Sequence, residues 1–321
     1  MMAWQGFALV LMGAFLISLY DITNKKLLVK KAPADCISTV TFLGSGALLL
    51  VASLVFNPPR IDNWFDFPQG FLWPLFAAGA LNVIIMFGRV RALRYGDVSL
   101  ITPLSATQPM VVLIPSWFIL GEAPDIWGYI GLFLLAVGVY VFSFAEEVYV
   151  LNPKTGEKEP WQPPGHLAWM GSAVRYYAPV HQLFRNKGVR IALVVAVCGA
   201  VAINFDKLLI LQSRSILFAD AIVLLFIGVV GLVKTLVTNE WGKMTRAHLV
   251  SLIGSPIALA VVEGCYSAAF LYGFASYVGA LKRTSVIFIL FLGWLLLNEQ
   301  GVKKRWPGAL IMTAGAALLS L

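Results

Sequence analysis

The chain has 321 residues, of which 59% are hydrophobic and 12% charged, and its mean hydropathy is +0.82. A soluble domain of this size carries about 25% charge, so half that level excludes an ordinary water-soluble globule and points to a surface facing lipid. The formal net charge of +8 is no nucleic-acid signal: Lys and Arg fall in short stretches between apolar runs, as the positive-inside rule requires, and no RNA- or DNA-binding motif accompanies them.

Apolar runs of about 18–22 residues recur, the length a helix needs to cross about 30 Å of hydrocarbon. In chain order they predict spans over 4–22, 37–56, 70–88, 98–119, 126–144, 189–210, 219–238, 248–271, 276–297 and 305–321. The expected fold class is an all-α membrane protein, with ten transmembrane helices arranged as two inverted five-helix repeats. The run from Trp4 to Tyr20 has no basic residue before it and no small-residue cleavage site after it, so it reads as a retained span rather than a secretory signal. Asn57-Pro58-Pro59, Gly121-Glu122-Ala123-Pro124-Asp125 and Asn298-Glu299-Gln300-Gly301 punctuate the runs. The last span is expected to open at Trp306-Pro307, with proline at the first helical position. Cys36, Cys198 and Cys265 are scattered and suit packing rather than a disulfide framework or a metal site. No motif asks for a cofactor.

One stretch differs. Residues 145–188 hold Glu146, Glu147, Lys154, Glu157, Lys158 and Glu159, then the turn-rich Pro160-Trp161-Gln162-Pro163-Pro164-Gly165. They divide the chain into a first half, 1–144, and a second half, 189–321. The part from His166 to Lys187 mixes aromatic and basic residues, which suits either a segment lying at the membrane surface or a basic loop.

The halves rhyme. A shift of 177 residues lays Ala92 to Glu122 on Ala269 to Glu299 without a gap, matching Tyr95-Gly96 to Tyr272-Gly273, Thr107 to Thr284, Trp117 to Trp294 and Glu122 to Glu299. More weakly, Asp21 to Leu28 rhymes with Asn204 to Leu209, each ending in Lys-Leu-Leu. Five spans per repeat is an odd number, so the second half is expected to insert upside down relative to the first. Inverted repeats of this kind build transporters with a site between the halves. By the count of Lys and Arg, the long linker faces the cytoplasm and both termini lie outside.

Two five-helix halves, each carrying Ala-x-x-Tyr-Gly before a span and an apolar run ending in Gly-Glu or Asn-Glu before the next, resemble the drug/metabolite transporter superfamily in its EamA-like branch. Ala92-Leu93-Arg94-Tyr95-Gly96-Asp97, Pro103-Leu104, Gln108-Pro109 and Leu120-Gly121-Glu122 carry the likeness. The second half departs from it, with Ala280, Val286 and Asn298 where the first has Pro103, Pro109 and Gly121. The resemblance implies ten spans, a central cavity, alternating access and export of small metabolites, and it places both termini in the cytoplasm, against the charge count.

Ionisable groups inside spans cost roughly 2.5–3.5 kcal/mol each on insertion scales, so they are candidates for function. Glu263, deep in the eighth run, suits a proton, a cation or a substrate amine, or else a structural pair with a neighbouring Lys or Arg. Asp206 and Lys207 in the sixth run match Asp21 near the end of the first, and such repeat-related charges are placed to line a cavity. Lys282 and Arg283 need a partner, either Glu263 or an anionic ligand. Arg89 and Arg94 close the third run and would add to an electropositive surface if they converge, since guanidinium binds phosphate or carboxylate in bidentate fashion. Tyr266 and Asn82 complete the substrate or ion candidates. Gly128, Gly131 and Gly138, with Ala309, Thr313 and Ala317, form small-residue faces for close helix contact, within the protein or across a homodimer.

The expected function is a secondary transporter or exporter of a small polar, anionic metabolite, with a proton or cation as coupling partner and membrane lipid around it. The alternatives are a flippase for a lipid-linked anionic head group and a non-transporting scaffold. An enzyme is not expected: there is no catalytic constellation, no paired histidines one helical turn apart and no Walker motif. The setting is a multi-pass membrane protein, of the inner membrane if the source is bacterial.

Overall fold

The computed structural model describes residues 2–29, 34–66, 70–95, 108–143, 149–151, 158–160, 187–243, 253–285, 287–288, 291–292, 295 and 302–320. The helices of the first half are α1 (Trp4–Val29), α2 (Ala34–Phe56), α3 (Leu72–Tyr95), the short α4 (Gln108–Val111) and α5 (Leu113–Pro115), and α6 (Ile126–Ser143). The second half holds α7 (Lys187–Ser213), α8 (Ile216–Val237), α9 (Gly254–Ala269), α10 (Ala275–Leu281) and α11 (Val302–Ser320). Between the halves, β1 (Tyr149–Leu151) pairs antiparallel with β2 (Lys158–Pro160), Val150 opposite Glu159, so the linker adds a pair of short strands to the helices.

Three described helices are long and apolar enough to cross a membrane: Asp35–Phe56, Lys187–Ser213 and Ile216–Val237. Trp4–Tyr20, Leu72–Gly88, Ile126–Val141 and Pro307–Leu319 are apolar but shorter. The expectation of ten transmembrane helices is therefore corrected to three among the described residues. The physical reason is that a continuous apolar run need not make one continuous apolar helix. The expected span 98–119 breaks, within its described part, into α4, α5 and a π-helical turn, Ser116–Leu120, around Pro109 and Pro115, because proline removes a backbone donor and crowds the preceding turn. The run at 276–297 tightens after α10 into a 3-10 turn, Lys282–Thr284. Helix α9 has 16 residues where the run 248–271 predicts more. The last helix begins at Val302, not at Pro307, which therefore lies inside it.

Packing follows a simple pairing: α1 against α9, α3 against α7, α2 against α8, and α6 against α11. The outward faces are apolar, with Val51, Leu54, Val55 and Phe56 of α2 and Val229, Val233, Leu236 and Val237 of α8 all exposed. Apolar surface on that scale is a membrane face rather than a water face. Two hydroxyls of α2 are satisfied inside the bundle: Thr41 donates to the Ile37 carbonyl at 2.9 Å, and Ser45 shares its proton between those of Thr41 at 2.7 Å and Pro256 at 2.8 Å. The glycine face of α6 is spent within the chain, whereas Thr313 and Ala317 of α11 are exposed. A side chain at Gly138 would meet the Met312 backbone nitrogen at 2.6 Å, and one at Gly131 the Gly315 carbonyl at 2.9 Å, so α6 and α11 touch almost backbone to backbone.

Candidate functional site

The α7–α8 turn sets the site. Arg214 adopts φ 54, a left-handed conformation that reverses the chain, and the Ser215 hydroxyl accepts the Phe218 N–H at 3.2 Å to cap α8. The two helices then run back along one another, bringing Asp206 near the end of α7 beside Asp220 near the start of α8. Helix α9 adds Glu263, and Ser267, one turn further on, donates to Asp220 Oδ1 at 2.6 Å. From the first half, α2 contributes Asp35 and α3 contributes Asn82. Together these side chains line a cavity of about 380 Å³. Its remaining walls are mostly apolar, with Phe42, Ile85, Met86, Val223, Leu224 and Ile227 among them.

The cavity's carboxylates are unequally partnered. Asp35 is ion-paired with Lys234, whose ammonium also lies 4.4 Å from the centroid of the Phe87 ring. Glu263 Oε2 is 3.9 Å from Lys282 Nζ, with both side chains a little over a quarter exposed. That ammonium sits 4.3 Å from the centroid of the buried Tyr266 ring, a cation–π contact. By contrast, Asp206 Oδ1 and Asp220 Oδ2 are closed off from solvent and have no hydrogen-bond partner among the described residues.

A second charged cluster lies outside the cavity lining. Lys207 is ion-paired with Glu122 and also donates to the Gly273 carbonyl at 2.7 Å. The other Glu122 oxygen accepts the Ala275 N–H at 2.7 Å, at the start of α10. Gly121 makes this reach available: at φ 67 it ends the π-helical turn in a conformation that a side chain would strain. Nearby, the Ser116 hydroxyl donates to Asn204 Oδ1 at 2.7 Å.

The structure thus gathers Glu263, Asp206 and Asn82 in one cavity and sets Lys282 with Tyr266 against its Glu263 wall. Lys207 is turned away, about 100° around the helix from Asp206, and serves Glu122 instead. Arg283 follows Lys282 in the 3-10 turn and is not part of the lining. The side chains of Asp21, Arg89 and Arg94 lie outside the described residues. The expected electropositive surface is not what the cavity shows: its described lining holds four carboxylates and no lysine or arginine. Sequence reasoning missed Asp35, Asp220 and Lys234 because each stands near a span end, where charge is ordinary. For Glu122 a signal existed, its register with Glu299 in the repeat.

Residues 4–144, less than half of the chain, match the model of the EamA-like transporter family, whose members are transporters rather than enzymes. No curated protein matches the chain. A solved structure described only as "Crystal structure of protein" superposes with a TM-score of 0.69 at 13% identity, covering 98% of this chain and 96% of its own. At that identity the likeness is one of fold, and it spans both halves. The chain is a multi-pass membrane protein whose N-terminal part is similar to a transporter family.

Proposed function

We propose that the chain is a secondary transporter that exports a small polar metabolite by alternating access, with the substrate held in the acidic cavity. The carrying observation is the cavity's parentage. Asp35 and Asn82 come from the first half, and Asp206, Asp220 and Glu263 from the second, so movement of one half against the other changes access to every one of them. The helix pairing supports an inverted repeat. Exchanging the halves converts the α1–α9 pair into the α7–α3 pair and leaves α2–α8 and α6–α11 in place, as a pseudo-twofold axis between them would. The volume suits a metabolite, lying near the small end of ligand sites at roughly 300–1,000 Å³. The Glu122–Lys207 pair, which ties the first half to the second, is a contact that such rocking would break and remake.

The test is steric. Purified protein in proteoliposomes should exchange a member of a mixed metabolite panel, and Asn82→Trp, which fills the cavity without altering its charge, should abolish that exchange. Undiminished exchange by a folded Asn82→Trp protein would place the path elsewhere.

A further inference from the structure

We infer that the cavity recognises an organic ammonium ion, held between Asp206 and Asp220 and backed by Glu263. The inference rests on the cavity being the transport site and names the substrate class it takes.

Three observations lead there. The first is charge: four carboxylates line the cavity, and two described ammonium groups, those of Lys234 and Lys282, offset Asp35 and Glu263. Asp206 and Asp220 are left over. The second is unmet bonding. Asp206 Oδ1 and Asp220 Oδ2 are shut from solvent with no donor among the described residues, on side chains that line the cavity. Buried acceptors are almost always satisfied in folded proteins, so two lining carboxylates that each carry an orphan oxygen leave that wall short of a donor, which a ligand can bring from outside. An ammonium group supplies up to three N–H donors and the compensating charge together.

The third observation separates an organic cation from a metal. Among the described residues no three carboxylates, histidines or cysteines come close enough to hold one metal ion. A hard cation wants six or more oxygens at about 2.0–2.6 Å, and the cavity offers spread carboxylates with apolar side chains between them. Along α8 the lining runs from Asp220 to Ile227, roughly 10 Å of helix at about 1.5 Å per residue. Asp206 and Glu263 stand with Asp220 at one end, Asp35 is paired with Lys234 beyond Ile227, and Val223, Leu224 and Ile227 lie between. A charged head with a short hydrocarbon stem matches that order: ammonium against Asp206 and Asp220, methylenes along α8.

Binding is read by thermal unfolding of the purified protein in detergent, at fixed pH and ionic strength, because a ligand that binds only the folded state raises the midpoint. The probes are putrescine, n-butylamine and choline, set against glutamate, inorganic phosphate and glucose 6-phosphate, with sodium and potassium chloride as inorganic cations. The expected result is a rise of at least about 2 °C with putrescine or n-butylamine at millimolar concentration. The rise should vanish in Asp206→Asn and in Asp220→Asn while both variants melt no lower than wild type without ligand. Should an Asn variant fail to fold, Ser267→Ala, which frees Asp220 further, should enlarge the putrescine shift. A shift with the anions and none with the amines would overturn the ammonium inference and leave the transporter reading standing. Protection by sodium or potassium alone would overturn it in favour of an inorganic ion. An unshifted midpoint across every probe would overturn both.

Discussion

Asp206 and Lys207 are adjacent in sequence and opposite in circumstance. Lys207 turns into a dry cluster in which it donates to a carboxylate and a carbonyl, and its partner Glu122 accepts a second bond from the start of α10; both side chains are only 9% exposed. Asp206 lines the cavity, and one of its oxygens, shut from solvent, meets no donor among the described residues. Both are charges in a helix long and apolar enough to span a membrane, so hydropathy treats them alike. What separates them is whether their bonding is complete. The finished cluster ties the halves together, and the unfinished one is where a ligand has something to add.

The largest effect should come from breaking the finished cluster. Lys207→Met leaves Glu122 buried without its counter-charge, a loss of about 3–5 kcal/mol, and should show as a steep drop in the unfolding midpoint in detergent. Glu122→Gln with Lys207→Met should recover most of it. A single variant as stable as wild type would mean the pair is not desolvated. The unfinished cluster should respond in the opposite direction. Asp206→Asn or Asp220→Asn removes a buried charge that is only partly satisfied and should raise ligand-free stability, by about 1–3 kcal/mol, with a fall instead pointing to an ordered partner at the orphan oxygen. A smaller change is expected for Lys282→Met. Its ion pair is long, at 3.9 Å, and partly exposed, so stability should move by less than about 1 kcal/mol, while putrescine affinity rises because Glu263 is released. The smallest belongs to Arg214→Ala. Its ion pair with Asp62 is exposed at 61% and 74%, and the variant's stability should stay within about 0.5 kcal/mol of wild type.

How far the sequence carries this picture depends on the depth of each residue. Glu263, Asp206 and Asn82 stand well inside apolar runs, where a polar side chain needs a reason, and all three line the cavity. Asp35 and Asp220 begin their helices, and hydropathy assigns such positions to the interface. Only the packing of α2 on α8 and of α7 beside α8 brings them to the cavity wall. The partner of Lys207 was equally hidden, since Glu122 lies 85 positions away and is recruited by a left-handed glycine that no periodicity reveals. The count of spans failed for a related reason. Composition reports how apolar a stretch is, and it is blind to the prolines around α4 and α5 or the tight turn after α10 that interrupt a helix. The expectation of an anionic substrate leaned on Lys282, Arg283 and the arginines that close the third run, and the side chains of Arg89 and Arg94 lie outside the described residues.

The account rests on Asp206 and Asp220 being the groups that hold the transported molecule. The direct measurement is counterflow of radiolabelled putrescine into proteoliposomes preloaded with unlabelled putrescine. Wild type, Asp206→Asn/Asp220→Asn and Glu122→Gln/Lys207→Met would be compared at equal folded density. Transient accumulation by wild type and none above protein-free liposomes by the Asp double variant is the predicted result. Equal accumulation by wild type and the Asp double variant would contradict it, because a path that ignores both carboxylates does not run through this cavity as an ammonium site.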